Sequence, residues 1–174
     1  PSRSRRGLRL RGGLPSERLA RQSFFMSAHP TSSPSPRTDQ PQLHWRVGGV
    51  AESGAVARLA EGAFEPQFRE AWTETQIAAL LASSGAWLDI GEGQAGLSAF
   101  AMSRQTFDEV ELLLCAVAPP WRGQGEGRRM MDSVIASARR RRARRLFLEV
   151  RATNEPALWL YRSAGFTPVG RRSG

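Results

Sequence analysis

The chain contains no lysine, so all 25 of its basic residues are arginine, set against 16 acidic ones for a net charge of +9. It has one cysteine, Cys115. That excludes an internal disulfide framework and a cysteine-rich zinc site, and it fits a reducing compartment, so a cytoplasmic protein is expected. The two histidines, His29 and His44, are too few and too far forward to propose a metal. Nowhere do about 18 apolar residues run together, so no membrane span or membrane partner is expected. Repeats are missing as well. What remains, 174 residues with 40% apolar and 24% charged side chains, suits one globular domain with a real core.

The charge is unevenly placed. Residues 1–25 hold seven arginines (3, 5, 6, 9, 11, 18 and 21) against Glu17 alone, so six of the nine net charges lie there. A charge excess in a tail speaks of solubility and non-specific contact with nucleic acid, not of what a folded domain recognises. Its Arg- and Ser-rich, acid-poor composition is also that of a mitochondrial transit peptide, without the apolar core of a secretory signal. With the Ser/Pro-rich "SAHPTSSPSPRTDQPQ" that follows, residues 1–42 read as a disordered lead-in, with Met26 as the expected natural start and the residues before it as a misassigned extension. Residues 43–174 read as the domain.

There, "LHWRVGG" alternates as a strand, and "ESGAVARLAEGAF" carries Val56, Leu59, Ala60 and Ala63 at helical spacing. "AWTETQIAALLASSG" is a second helix, with Thr73 and Gln76 in capping-box positions. Three strands around 86–91, 95–104 and 109–118 form an antiparallel meander. A long helix follows from Gly127 through the arginine run to Arg145, then the strand "LFLEVRA", the helix "EPALWLYRSAG" and a strand begun by "FTPVG". Strand, helix, strand in that order implies a parallel crossover on an otherwise antiparallel sheet, a mixed α/β domain.

Between the meander and the long helix stands "RGQGEGRR", with Gly123, Gly125 and Gly127. A strand that stops at such a turn and opens a helix suits a phosphate, because glycine lets the backbone approach closely and the helix start offers unpaired N–H groups. It lacks the Gly-Lys-Ser/Thr of a P-loop and the spacing of a dinucleotide-binding turn. Alone, it reads equally as a mobile basic loop.

"RGQGEG" resembles the coenzyme A pyrophosphate loop of the GNAT N-acetyltransferases. "LFLEVRATNEPALWLYRSAGF" resembles the signature of their RimI-type branch, which acetylates the N-terminal alanine of a ribosomal protein, and "FREAWTE" and "FDEVELLLCAV" are similar to two further stretches of that branch. The resemblance spans roughly residues 43 to 172. It implies the GNAT fold and acetyl transfer from acetyl-CoA to the terminal α-amine of a small-subunit ribosomal protein, by direct attack and without a metal. By matching positions, Glu149 is the general base and Tyr161 the acid that protonates the thiolate. The backbone of Cys115, Ala116 and Val117 binds the acetyl and pantetheine part. Gly123, Gln124, Gly125, Glu126, Gly127 and Arg128 hold the pyrophosphate, Asn154 contacts the coenzyme, and Phe68, Trp72 and Thr73 shape the acceptor groove. An α-amine, with an ordinary pKa of about 8 against about 10.4 for lysine, suits a carboxylate base.

Read from the residues alone, Glu149 is a solvated strand carboxylate, Tyr161 a core residue, Asn154 a helix cap, Cys115 a buried thiol and Trp72 a packing staple. The arginines from 139 to 145 close a helix whose C-terminus favours cations. Two other functions stay open: transfer to a lysine or small-molecule amine, and a non-catalytic ribosome or RNA adaptor. The chain departs from the resemblance twice. Glu126 puts a carboxylate where the branch has an aliphatic side chain, beside the expected pyrophosphate. And the branch continues past the final arginine pair into another strand, whereas this chain stops at "RRSG", so a truncated sheet lacking its last element is expected.

Overall fold

The computed structural model describes residues 21–27, 41–63 and 72–172. In chain order they form β1 (Arg21–Ser27), β2 (His44–Gly48), α1 (Ser53–Ala63), α2 (Glu74–Leu81), β3 (Ala86–Gly93), β4 (Gly96–Thr106), β5 (Glu109–Val117), α3 (Glu126–Arg140), β6 (Arg145–Arg151), α4 (Glu155–Ser163) and β7 (Thr167–Arg172). The strands make one sheet in the order β2-β3-β4-β5-β6-β1-β7. Only β5 and β6 pair in parallel, and the connection that parallel neighbours require is α3. The mixed α/β fold expected from the sequence is therefore present, meander and crossover included.

Helices cover both faces. Val56 and Ala60 of α1 and Ile77 of α2 pack on Leu88, Ile90, Phe100, Met102, Leu114 and Ala116. On the other face the α3 stripe of Met130, Met131, Val134, Ile135 and Ala138 joins Leu158 and Tyr161 of α4 over Ala101, Val110, Leu112, Leu146, Leu148 and Val150. The strict alternation of β6, with Leu146, Leu148 and Val150 buried, follows from the period-2 pattern of "LFLEVR". Helices α1 and α2 sit over β3, β4 and β5, so among the described residues neither of them covers β6 and β1 on that face, where Phe25 lies tilted against Phe147 at 5.3 Å.

Two sequence expectations are corrected. The lead-in is not without structure throughout, since residues 21–27 form β1, antiparallel to both β6 and β7. A segment ahead of the expected domain thus supplies one of the seven strands among the described residues. The expected helix to Arg145 also ends early, at Arg140, because Arg142 turns left-handed with φ 60°.

Candidate active site

The ladder between β5 and β6 runs only from Glu109↔Arg145 to Leu112↔Leu148. There β5 carries a bulge: Met102 pairs with Leu114 and Ser103 with Leu112, so Leu113 faces no partner. A bulge bends its strand and flips the faces beyond it. Val110 and Leu112 point toward α3 and α4, whereas Leu114 and Ala116 point toward α1 and α2. Past the bulge, among the described residues, no strand hydrogen-bonds the β6-side edge of β5. A gap thus opens between Leu113–Val117 and Glu149–Arg151, bordered by backbone groups that can bind an extended ligand.

At the mouth of the gap stands the glycine turn. Gly123 (φ 74°) and Gly125 (φ 88°, the N-cap of α3) both need the left-handed region, and a Cβ on either would meet open space. Gly127 serves packing instead, for a Cβ there would stand 3.2 Å from Leu160 of α4. Arg128 and Arg129 make the first backbone bonds of α3, both to Gly125 C=O. The N–H groups of Glu126 and Gly127 precede these bonds and have no acceptor within the helix. The turn fits a phosphate by backbone donors and helix dipole.

Three side chains of this turn have partners within the protein. The Glu126 carboxylate is buried and points inward, accepting from Leu43 N–H (3.1 Å), Trp45 Nε1 (3.1 Å) and Arg129 Nη1 (3.3 Å). The carboxylate is thus directed into the protein rather than into the turn. Arg128 donates to Asp132 Oδ1 (3.1 Å) and Ser163 C=O (2.8 Å), which ties α3 to the end of α4. Gln124 donates to Pro120 C=O within the turn.

Deeper in the gap, the Tyr161 hydroxyl lies 3.5 Å from Cys115 Sγ. Tyr161 is buried, its ring tilted against Phe24 (6.2 Å) and edge-on to Phe166 (6.0 Å). Burial, reinforced by the Cys115 thiol, pushes the phenol well above its ordinary pKa, and burial likewise raises Cys115, partly offset by the Tyr161 hydrogen bond. Glu149 stands on the opposite face of the sheet, exposed, in an open groove it shares with Ser23, Arg104, Glu109, Glu111 and Phe147. Arg104 pairs with Glu111 at 3.4 Å and Arg145 with Glu109 at 3.1 Å, so these carboxylates have cationic partners.

The model of the acetyltransferase (GNAT) family matches residues 53–166. The chain belongs to the GNAT family. It is 40% identical over 70 residues to the [ribosomal protein bS18]-alanine N-acetyltransferase of Escherichia coli, covering 40% of this chain and 47% of that protein. It is also 40% identical over 80 residues to the N-alpha-acetyltransferase RimI of Mycobacterium tuberculosis, covering 46% of this chain and 48% of that one. The chain thus spans about half the length of the curated relatives it matches. The crystal structure of the E. coli ribosomal-protein-S18-alanine N-acetyltransferase superposes with a TM-score of 0.64 at 26% identity, over 73% of this chain and 80% of that one. A GCN5-related N-acetyltransferase from Sphaerobacter thermophilus shares the fold, with a TM-score of 0.66 at 20% identity over 87% of this chain and 49% of that one.

On this GNAT scaffold the sequence-expected residues separate into groups. Cys115, Ala116 and Val117 border the gap, Gly123 to Gly127 form the turn, and Tyr161 and Glu149 flank the gap from its two faces. Asn154 is the N-cap of α4, its Oδ1 accepting from Ala157 N–H at 3.2 Å. Thr73 is the N-cap of α2 in a capping box with Gln76, and Trp72 packs on the α1/α2 core; neither lines the groove beside Glu149. Phe68 lies outside the described residues, as do the arginines of residues 1–20. Sequence reasoning missed the groove wall formed by Ser23, Arg104, Glu109 and Glu111, and the Asp89 cluster. Asp89 is fully buried in β3, accepting from Trp87 Nε1 (2.9 Å), Ser133 Oγ (3.2 Å) and Ser137 Oγ (2.5 Å). A lone aspartate within the apolar "AWLDIG" was its signal. Among the described residues no helix is long and apolar enough to cross a membrane.

Proposed function

We propose that the chain transfers an acetyl group from acetyl-CoA to the N-terminal α-amine, an alanine, of a small-subunit ribosomal protein. The observation that carries this reading is the placement of Glu149 and Tyr161 on opposite faces of the sheet, across a gap in it. A thioester laid along the open edge of β5, its pyrophosphate at the 123–127 turn, has its carbonyl between the two groups. The amine enters from the groove face and gives its proton to Glu149, directly or through a water. Its nitrogen forms the new bond to the acetyl carbon, the C–S bond breaks, and Tyr161 protonates the departing thiolate. A phenol held above its ordinary pKa is in its protonated form at neutral pH. Bordering N–H groups of β5 would polarise the thioester carbonyl. The named activity of the E. coli and M. tuberculosis relatives supports the terminal amine as acceptor.

Mass spectrometry after incubation with acetyl-CoA and a peptide beginning with alanine checks the reading. One acetyl on the α-amine is expected, with Glu149→Gln and Tyr161→Phe slower by about 100-fold or more. A peptide with its α-amine blocked should gain nothing. Transfer to a lysine of the blocked peptide moves the acceptor to a side-chain amine, and no transfer to either peptide refutes the reading. Coenzyme A should raise the melting temperature, which a ribosome or RNA adaptor without a coenzyme site does not predict.

A further inference from the structure

Two phenylalanines of different origin pack against the Tyr161 ring. Phe166 is local. Gly165 ends α4 in the left-handed conformation (φ 95°), Phe166 N–H bonds back to Tyr161 C=O at 2.9 Å, and the turn that results sets the two rings edge to face. Phe24 comes from β1, at the far end of the chain. It is fully buried, and its ring lies tilted at 54° to the phenol with the centroids 6.2 Å apart. On the reverse face of the same strand Ser23 lies in register with Glu149 and lines the groove. One strand therefore meets both groups that flank the gap, from the two faces of the sheet.

We propose that β1 is a working part of the active site, with Phe24 positioning the Tyr161 phenol and Ser23 walling the acceptor groove beside Glu149. The proposal rests on the acetyl-transfer reading for what Glu149 and Tyr161 do. Tyrosine turns about two side-chain torsions, and rings packed against it limit both. Phe24 is one of these rings and helps keep water from the phenol. Truncating it opens a space large enough for the ring to tilt, and an error of about 1 Å in a proton donor costs on the order of 100-fold in rate. On the groove face a serine leaves room for an amine-bearing chain end next to Glu149. A larger side chain there takes that room without touching the coenzyme turn.

Tyr161 is the sole tyrosine of the chain, so its ionisation can be followed by absorbance in the full-length protein. Phe24→Ala should bring that ionisation down toward the ordinary value near 10, and should lower kcat while the KM for acetyl-CoA holds. Phe24→Leu, which keeps most of the apolar volume but not the ring, should shift both in the same direction by a smaller, measurable amount and carries the test if the alanine variant does not fold. Ser23→Trp should raise the KM for the alanine-start peptide about tenfold, the scale of one pocket contact, with tyrosine ionisation and the KM for acetyl-CoA unchanged. Phe24 variants with wild-type ionisation and kcat overturn the positioning role. An unchanged peptide KM in Ser23→Trp overturns the wall. If the wild-type chain acetylates neither peptide, the function reading fails by itself, because the tyrosine titration still decides the role of Phe24.

Discussion

A carboxylate in a phosphate turn repels the ligand unless it turns away, and Glu126 turns away completely. Its acceptors satisfy the Leu43 N–H at the entry to β2 and the indole of Trp45, so this one side chain fastens the start of α3 to the far edge of the sheet. Glu126→Leu leaves both donors without their acceptor and Arg129 without its carboxylate, which should cost about 2–4 kcal/mol in denaturant unfolding. Coenzyme A affinity should not improve, because the charge removed does not face the turn. Glu126→Gln keeps one acceptor oxygen and should cost less; a leucine variant as stable as wild type contradicts the inward role. Asp89 is the second buried carboxylate. Burial raises its pKa against the pull of its hydrogen bonds and of Arg141, which stacks on the Trp87 ring at 4.2 Å. A raised acid pKa means the fold binds the proton more tightly than the unfolded chain does. Its stability is then greatest below the ordinary carboxylate range near 4 and is lost as pH rises through the raised value. The stability advantage of wild type over Asp89→Asn should accordingly shrink from acid to neutral pH, and unfolding curves at several pH values would show it growing instead if ion pairing with Arg141 dominated.

Helices α3 and α4 end in the same motif with different residues. After α4, Gly165 takes the left-handed position and Phe166 N–H closes on Tyr161 C=O; after α3, Arg142 takes it and Ala143 N–H closes on Ala138 C=O at 3.0 Å. Glycine bears that conformation without a Cβ clash, whereas arginine pays about 1 kcal/mol. Arg142→Gly should raise stability by about 0.5–1 kcal/mol with activity unchanged, and a fall in melting temperature would mean the Arg142 side chain holds something its geometry does not suggest. The same pair explains what was legible in the sequence. The "SAGF" ending of α4 carries its glycine and was readable, while the run of arginines offered no stop signal and the helix read on to Arg145. The strand, helix and turn that carry Glu149, Tyr161 and the glycines were legible from local patterns, whereas the roles expected of these residues came only from the family resemblance. The bulge at Leu113, which opens the gap they flank, has no glycine or proline to mark it. It arises from how "ELLLCAV" must bury Leu112 on one face and Leu114 on the other.

At the scale of the molecule, the sheet depends on a strand that composition concealed. "RQSFFMS" alternates, with Phe24 and Met26 toward the α3/α4 core and Ser23 and Phe25 toward the open face, but it lies among arginines and ahead of a Ser/Pro-rich stretch, and its partners are at the other end of the chain. Pairing at that sequence distance leaves no local trace. Its position matters more than its length. Among the described residues β7 has no neighbour in the sheet but β1, so removing β1 strips β7 of its ladder and leaves the gap side of β6 without the strand that backs it. A chain begun at Met26 loses Phe24, Phe25 and most of the β1 pairing together. The burial of Phe24 alone is worth about 3–5 kcal/mol, a large part of the 5–15 kcal/mol that typically separates folded from unfolded domains. Thermal unfolding should therefore place the Met26-start protein many degrees below the full chain, with its single tyrosine more exposed to water. Equal melting temperatures would mean that β1 is peripheral to the fold, and would return residues 21–25 to the lead-in from which they were first read.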